Sequence, residues 1–454
     1  MSKHPEPNPA FLSALAGAIL SADATVDAIT ERVSRTLGKP WRWIRPMAQR
    51  YVERFAHGVR PRRREVVAFL RSDEGLRRAW SRRGGELTIA KWLAAPQEMQ
   101  PAPKAAQWPV PVIATEGALT EWLGVSAGEL EWFADLKRLM ARRSEQKLWH
   151  YSYRILAKNY GSMRLIESPK PRLKAAQQKI LTEILDRIPA HPAAHGFVRG
   201  RSIRTFAAPH VSRRVVLRMD LRDFFPSIRS GRVQALFRTA GYPERVADLL
   251  GGLSTNATPR GVWRNVQPDA DANIDPLVVY EARQRYAWPH LPQGAPSSPA
   301  LANLCAYRVD CRLSGLARAA GAEYTRYADD LAFSGDEQFD RGVERFAVHA
   351  AAILLEEGFE VHHRKTRVMR RGVRQYLAGV VTNEHVNVVR ADFDRLKATL
   401  TNCVKHGPLS QNREDHPDFR SHLAGRIAFV EMVNPQKGMR LRKLFDLIEF
   451  KEKD

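Results

Sequence analysis

The sequence predicts an α+β fold in which a helical region comes first and a mixed region of strands and helices follows. Residues 10 to about 94 carry apolar side chains at helical spacing. Beyond residue 150 the pattern changes to strand, helix, strand, hairpin and helix, with β-branched runs bounded by turn residues. At 454 residues the chain is long enough for two or three domains.

The first region is predicted to be a separate helical extension over residues 1–95. A proline-rich stretch with little periodicity follows it and predicts a linker over residues 96–113. After the linker, Thr115 is a candidate N-cap for a helix that runs to Arg142. The extension carries Arg62, Arg63 and Arg64, for which a solvated face is favoured over contact with RNA.

The first candidate site residue ends a predicted strand. The β-branched run from Val215 leads directly into Asp220, and a side chain at a strand end is held rigidly. Asp223 is a second candidate, although it could instead cap the turn that follows. Phe224 and Phe225 are typical core residues in this context, and the alternative is that one of them faces a nucleotide sugar.

The most informative segment is Tyr327-Ala328-Asp329-Asp330, which lies between short β-rich runs. It predicts a hairpin turn that projects both acids toward one place. Hard cations such as Mg²⁺ prefer oxygen ligands, so paired carboxylates suit phosphoryl chemistry. Taken alone, an Asp-Asp pair is more often a solvated surface turn.

The composition of the chain indicates which class of partner the protein binds. The chain has 72 Lys and Arg against 49 Asp and Glu, a formal net charge of +23, which favours a polyanion such as nucleic acid. The three cysteines, Cys305, Cys311 and Cys403, have no zinc-binding spacing and indicate a reducing compartment. Without a long apolar run or a signal-like start, the sequence predicts a cytoplasmic protein with no membrane partner.

A loop between the two acidic segments carries the decisive motif. Residues 291–303, Leu-Pro-Gln-Gly-Ala-Pro-Ser-Ser-Pro-Ala-Leu-Ala-Asn, place Gly and Pro in a loop and then begin a helix with predicted serine caps. With Asp220 before it and Tyr327-Ala-Asp-Asp after it, the chain resembles a reverse transcriptase, most similar to the bacterial retron type. The resemblance covers residues 115–450 and also rests on three further motifs: Gly161-Ser-Met-Arg, His195-Gly-Phe-Val-Arg-Gly and Lys365-Thr366.

The resemblance implies the fold of a right-hand polymerase. A ferredoxin-like palm and helical fingers would occupy residues 114–383, and a helical thumb would occupy residues 384–454. The chain departs from the retron pattern at Phe206, where Asn is common, and at Leu377-Ala378-Gly379, where the family commonly has Val-Thr-Gly.

The resemblance also implies roles for individual residues. Asp220, Asp329 and the backbone carbonyl of Leu221 would hold two Mg²⁺ ions, with Mn²⁺ as an alternative, and Asp330 would complete the acidic triad. Lys365 would act as a general acid or a phosphate clamp, and its alternative is a solvated lysine. The implied nucleotide-binding residues are Arg164, Leu221, Asp223, Phe225 and Gln293, and the implied RNA-binding residues are His210, Leu377, Gly379 and Arg390.

The implied activity is RNA-directed DNA synthesis from dNTPs on a structured non-coding RNA that serves as template and primer. Synthesis would start from the 2′-hydroxyl of an internal guanosine and give a branched RNA-linked DNA (msDNA) and an RNA–DNA hybrid. A host RNase H and an anti-phage defence effector are the implied protein partners. The alternatives are a defence or group II-like reverse transcriptase with different priming, and an RNA-binding scaffold without activity.

Overall fold

The computed structural model describes residues 6–55, 60–93, 98–143, 145–157, 163–264 and 276–450. Pro96 of the predicted linker and Gly161 and Ser162 of the quoted motif lie outside these ranges.

The helices of the described residues follow the predicted helical spacing in the extension and recur throughout the chain. Their bounds are α1 Pro9–Leu20, α2 Val26–Leu37, α3 Ile44–Phe55, α4 Arg63–Ser72, α5 Glu74–Arg83, α6 Glu116–Leu123, α7 Ala127–Ala134, α8 Pro171–Glu183, α9 Ile203–Ala207, α10 Phe224–Ser227, α11 Ser230–Thr239, α12 Glu244–Leu253, α13 Pro276–Tyr286, α14 Ser298–Cys305, α15 Tyr307–Ala319, α16 Glu337–Glu356, α17 Arg390–His406, α18 Phe419–Val433 and α19 Pro435–Phe445.

The strands form small antiparallel sheets among these helices, which confirms the predicted α+β fold. Their bounds are β1 Tyr151–Ala157, β2 Met163–Pro169, β3 Val215–Arg222, β4 Glu323–Tyr327, β5 Asp330–Gly335, β6 Glu360–Val361, β7 Arg367–Arg370, β8 Tyr376–Leu377, β9 Val380–Val381 and β10 Asn387–Val388. Among these described helices, none has both the length and the apolar character of a membrane-spanning segment.

The chain forms two compact units. The first comprises Met1–Ile188 and Arg229–Pro289, and the second comprises Pro189–Ile228 and His290–Asp454. These units follow contacts in space rather than continuous sequence, and the domain boundaries given above stay predictions.

In the first unit, helices α1–α5 enclose a hydrophobic core of their own that includes Leu15, Ile29 and Met47, all fully buried. These helices also contact the following part of the unit through Arg62, which donates to Asp248 at 3.1 Å and to Gln234. The expected solvated face is therefore wrong for Arg62, whose side chain is buried because it pairs with α11 and α12. Arg63 and Arg64 are exposed.

The predicted helix from Thr115 to Arg142 is interrupted. It ends first at Gly124, whose φ of 68° is left-handed, and Ser126 then begins α7 with a capping box to Glu129. A glycine in this conformation satisfies the last carbonyls of a helix, and the capping box satisfies the first amides of the next one. The predicted cap at Thr115 is confirmed, because its hydroxyl accepts from the amide of Ala118 at 3.0 Å.

In the second unit, β3 lies at the centre of a sheet. It pairs with β5 on one side and with β6 and β7 on the other, and β4 pairs with the far edge of β5. The long strands thus run in the order β7-β3-β5-β4, all neighbours antiparallel, with helices between β3 and β4 and α16 between β5 and β6. This is the ferredoxin-like arrangement predicted for the palm.

The last three helices of the second unit have a separate hydrophobic core. Leu400 of α17, Leu423 of α18 and Leu441 of α19 are fully buried in it, together with Val380 of β9. Apolar residues at helical spacing on each helix supply these contacts.

Candidate active site

The predicted hairpin is present at Tyr327-Ala328-Asp329-Asp330. Tyr327 and Asp330 are directly paired across β4 and β5, which leaves residues 328 and 329 as the turn. Ala328 has a φ of 54°, a left-handed conformation that is uncommon for a residue with a side chain. Such strain persists only where surrounding contacts enforce it, and it is frequent at functional sites.

The two acidic segments meet across the sheet. Asp220 on β3 is the direct register partner of Asp330 on β5, and directly opposed residues have Cβ atoms about 4.5–5.5 Å apart on one face. The turn is tied to the same place because the amide of Leu221 donates to the carbonyl of Asp329 at 2.9 Å. The structure therefore brings together the candidates that lie more than a hundred residues apart in sequence.

Two cations hold these carboxylates. The ammonium of Lys365 lies 2.9 and 3.1 Å from the two carboxylate oxygens of Asp220. The guanidinium of Arg218 binds Asp330 through two nitrogens, with Nε 2.8 Å from one oxygen and a terminal nitrogen 3.0 Å from the other. Sequence reasoning did not identify Arg218. The signal available in the sequence was an arginine two residues before Asp220, a spacing that places both side chains on one face of a strand.

The carboxyl group of Asp330 is affected both by its burial and by the neighbouring charges. Burial raises the pKa of Asp330 to about 6; Arg218 opposes the rise, and the charges of Asp329 and Asp220 add to it. In the described part of the chain, no three His, Cys, Asp or Glu side chains stand together as a preformed metal site. The acidic charges of Asp220 and Asp329 beside Asp330 fit a divalent cation, because additional positive charge would relieve their repulsion.

A buried polar network contacts the turn between β4 and β5. Arg326 on β4 is fully buried and pairs with Asp310 on α15, with nitrogen–oxygen distances of 2.8 and 2.6 Å. The same guanidinium donates to the carbonyl of Ala328 at 3.2 Å and to Asn303 at 3.0 Å. Asn303 in turn donates to the carbonyl of Gly196 at 2.8 Å. Neither Arg326 nor Asp310 was predicted as a site residue.

Gly196 lies directly against the turn. A Cβ atom at this position would stand 2.6 Å from the backbone nitrogen of Ala328 and 3.2 Å from the carbonyl carbon of Tyr327. Only a residue without a side chain permits this approach. The glycine of the His195-Gly-Phe motif therefore allows a loop to pack on the hairpin that carries Asp329 and Asp330.

The two phenylalanines after Asp220 have different environments. Phe224 is buried, and its ring lies 5.6 Å from that of Phe359. Phe225 is half-buried and its ring lies 6.1 Å from that of Phe197, which is exposed. Phe224 is thus the core residue, and Phe225 is the ring that retains access to solvent.

Asp223 stands at the N-cap position of α10 with a left-handed φ of 47°, but its side chain makes no capping hydrogen bond. Its backbone carbonyl accepts from Ser227 at 2.9 Å. The capping alternative for its carboxylate is therefore wrong, and the implied contact with a nucleotide stays a prediction.

The predicted loop before α14 is present, with Gln293 half-buried and Gly294 exposed at a φ of 132°. The predicted serine caps are wrong. Ser297 occupies the N-cap position of α14 without a side-chain cap, because it has a helical backbone conformation rather than the extended one that capping requires. Its hydroxyl and that of Ser298 are buried and have no hydrogen-bond partner within the part of the chain that the structure describes.

The structure corrects the predicted RNA contact of His210. The imidazole is fully buried, with its two nitrogens 2.6 Å from the hydroxyl of Ser334 and 2.7 Å from that of Thr325. Burial lowers its pKa to about 3. This histidine links β4 and β5 through hydrogen bonds to Thr325 and Ser334. Its side chain is not exposed and therefore cannot contact RNA.

The Leu377-Ala378-Gly379 segment forms the hairpin between β8 and β9. Leu377 pairs with Val380, and Ala378 and Gly379 both have positive φ angles, 41° and 97°, as a two-residue type I′ turn requires. The side chain of Leu377 is fully buried, so the predicted RNA contact through it is wrong. A Cβ atom at Gly379 would have no described atom within 4 Å, and the predicted contact of Gly379 with RNA stays a prediction.

Two further predicted residues are exposed. Arg390 is the first residue of α17 and makes only a 3.6 Å surface pair with Asp394 among the described contacts. Arg164 projects from β2, which belongs to the first unit, whereas the acids belong to the second. Their implied roles in binding RNA and nucleotide stay predictions.

Comparison with known proteins identifies the class. Residues 156–382 match the family described as reverse transcriptase (RNA-dependent DNA polymerase). The retron Mx65 reverse transcriptase of Myxococcus xanthus is 40% identical over 74% of this chain and 73% of its own length. The retron Mx162 enzyme of the same organism is 39% identical over 71% of this chain and 64% of its own length. The retron Ec86 reverse transcriptase of Escherichia coli is 29% identical over 64% of this chain and 78% of its own length.

The chain therefore belongs to the reverse transcriptase family and is an RNA-directed DNA polymerase. Its similarity to the Myxococcus xanthus enzymes assigns it to the bacterial retron type within that family. Among solved structures, a foamy viral protease-reverse transcriptase in complex with RNA/DNA hybrid is similar over 68% of this chain and 31% of its own. Its TM-score is 0.34 and its identity 14%.

Proposed function

We propose that this protein reverse transcribes a structured non-coding RNA into a branched, RNA-linked single-stranded DNA. The observation that supports it best is the convergence of Asp220, Asp329 and Asp330 at one sheet end in a chain 40% identical to a retron enzyme. RNA would serve as template and, through an internal guanosine 2′-hydroxyl, as primer.

Asp220, Asp329 and the carbonyl of Leu221 are proposed to hold two Mg²⁺ ions, for which Mn²⁺ is an alternative. When bound, such a pair of ions activates the primer hydroxyl and stabilises the leaving pyrophosphate. Asp330 completes the acidic cluster while Arg218 fixes its orientation through two hydrogen bonds. Lys365, which contacts Asp220, would clamp a phosphate or protonate pyrophosphate.

Phe225 is proposed to face the sugar of the incoming nucleotide and to exclude a 2′-hydroxyl. Its half-buried ring, beside the fully packed Phe224, supports this role. Asp223, Gln293 and Arg164 complete the proposed dNTP contacts. A Phe225→Val variant should incorporate ribonucleotides more readily, measured as the ratio of rNTP to dNTP incorporation, and an unchanged ratio would contradict the assignment.

The exposed arginine at the start of α17, Arg390, and the open turn at Gly379 are proposed to contact the RNA backbone. Helices α17–α19 would then act as the thumb that recognises an RNA stem by its shape. A host RNase H would remove template RNA from the hybrid product, and a defence effector would connect the product to anti-phage function.

The nucleic acid that copurifies with the protein tests the proposed product. The expected DNA has a 5′ end joined to RNA, so it resists 5′ labelling by kinase until a debranching enzyme releases it. Protein carrying Asp329→Asn, expressed in the same way, should contain the RNA but no DNA. DNA with a free or protein-linked 5′ end would overturn the priming proposal and favour another type of bacterial reverse transcriptase.

A further inference from the structure

A cavity in the first unit lies between residues 258–263 and residues 280–287, most of which belong to α13. Its volume is about 310 Å³, at the lower end of the range for ligand pockets. The residues that line it combine aromatic rings, cations and small polar groups: Thr258, Arg260, Trp263, Tyr280, Arg283, Gln284 and Ala287. None of them belongs to the acidic cluster or its supporting network.

The back of this cavity is rigid. Trp263 is 9% exposed and packs with its ring 5.8 Å from that of Tyr286. Thr258 donates from its hydroxyl to the buried Glu167 at 3.0 Å and from its amide to the carbonyl of Tyr286 at 3.0 Å. A wall held by packing and hydrogen bonds offers a binding partner a fixed shape.

The opening of the cavity is aromatic and basic. Tyr280 is 59% exposed, and Arg260 and Arg283 are both exposed. Among the described residues, no hydrogen bond or ion pair of either arginine is found, and no acidic side chain lines the cavity. An exposed ring beside two guanidinium groups matches a base and the phosphates that flank it.

A second aromatic ring close to the cavity in sequence also lies beside a cation. Trp288, two residues after the end of α13, is exposed, and the guanidinium of Arg138 lies 4.8 Å from its ring centre. An exposed aromatic ring beside a cation can stack on a base in the same way as Tyr280. In a chain of net charge +23, this combination favours a polyanionic strand over an apolar ligand or an acidic side chain.

We propose that this cavity binds one nucleotide of an unpaired polynucleotide strand, with its base against Tyr280 and Trp263 and its phosphates at Arg260 and Arg283. The inference goes beyond the proposed function, because it assigns a separate nucleic-acid site outside the polymerase centre. The strand is either unpaired RNA or the DNA product, which share this chemistry.

Photocrosslinking tests the location. Full-length protein is irradiated with short oligonucleotides, one of RNA and one of DNA, that carry 5-iodouracil, and the modified residues are identified by mass spectrometry. Crosslinks are expected at Tyr280 or Trp263 with one or both oligonucleotides. The oligonucleotide that reacts shows whether the site binds RNA or DNA. The site should also react in Asp329→Asn protein, so failure of the polymerase assignment and failure of this site are distinguishable.

Fluorescence anisotropy with the same strands tests the chemistry. Tyr280→Ala should weaken binding at least about fivefold through loss of stacking, whereas Tyr280→Phe should bind like the parent protein. Arg283→Ala should lower the slope of log affinity against log salt by about 0.7, and Tyr280→Ala should leave that slope unchanged. Tyr307→Ala removes another exposed tyrosine, in α15, and is the matched control.

Equal affinity of Tyr280→Ala and parent protein for both strands, together with crosslinks only at other residues, would overturn the proposal. Because Tyr280 is exposed, its replacement should leave thermal unfolding unchanged, so weaker binding cannot be attributed to loss of the fold.

Discussion

At the scale of single residues, two acids of the proposed catalytic site pair with cations that are distant in sequence. Arg218 and Asp330 are 112 positions apart, and Lys365 and Asp220 are 145 apart. The sequence predicts the acids because they end strands or occupy a turn. It could not predict their partners, because those pairs depend on strand register and sheet order. The burial of His210 was missed for the same reason, since Thr325 and Ser334 reach it only after β4 and β5 pair.

Gly196→Ala should reduce polymerase activity by about tenfold or more, because the added methyl group would collide with the backbone of the proposed catalytic turn. Steady-state primer extension measures the effect. Gly342→Ala is the matched control and should retain parental activity, because Gly342 is a half-buried residue of α16 with no described atom within 4 Å of the added carbon. Full activity of Gly196→Ala would show that the turn tolerates displacement.

His210 should make stability depend on pH. Its pKa is lowered from 6.5 to about 3, chiefly by burial, so between these values the unfolded chain binds a proton that the folded chain does not. Stability from this residue is therefore complete above pH 6.5 and is lost as pH falls. Its contribution should be about 2 kcal/mol smaller at pH 5 than at pH 7.

Urea denaturation at both pH values measures this change in the free energy of unfolding. His210→Gln should be destabilised at pH 7, and the difference from the parent protein should shrink at pH 5. Comparing the two proteins removes the contributions of other titrating groups. A difference that is the same at both pH values would show that His210 is not buried in its neutral form.

At the scale of elements, the local sequence indicates most strands, turns and helix ends, including one helix break that was not predicted. The hairpin at Tyr327–Asp330 and the strand ending near Asp220 were predicted correctly, because alternation and turn residues are local patterns. The single helix from Thr115 to Arg142 was wrong, although Gly124 followed by Ser126 and Glu129 marked the break. The serine caps of α14 failed because the loop backbone, which residue identity does not determine, is already helical there.

The buried pair between Arg326 of β4 and Asp310 of α15 should stabilise the position of the hairpin. Removing one partner, as in Asp310→Asn, should cost about 3–5 kcal/mol because it leaves a buried charge without its counter-ion. Urea denaturation measures the cost. The double variant Arg326→Met, Asp310→Leu should recover part of the loss, and additive losses would indicate that the two residues act independently.

At the scale of the whole molecule, the helical extension is part of the first compact unit, to which Arg62 joins it. Arg62→Ala should therefore increase amide hydrogen exchange in α4, because Asp248 and Gln234 lose their shared donor. Exchange followed by mass spectrometry measures this change. Arg64→Ala removes an exposed arginine of the same run and should leave exchange unchanged, and equal effects of both variants would contradict the docking role of Arg62.

The sequence predicted the α+β class and the order of the acidic motifs, since both follow from local pattern and chain order. It left the extension without a role, because a single buried arginine in a basic run has no local signature. The same basic composition predicts that binding of nucleic acid weakens steeply with salt.

RNA-templated primer extension is the most direct test of the catalytic hairpin. The parent protein should extend a DNA primer on an RNA template with dNTPs and Mg²⁺, and chelation should stop synthesis until Mg²⁺ is restored. Asp329→Asn should fall to background with its thermal unfolding unchanged, whereas the exposed control Asp23→Asn should retain full synthesis. Normal synthesis by Asp329→Asn would contradict the assignment of this turn as the catalytic centre.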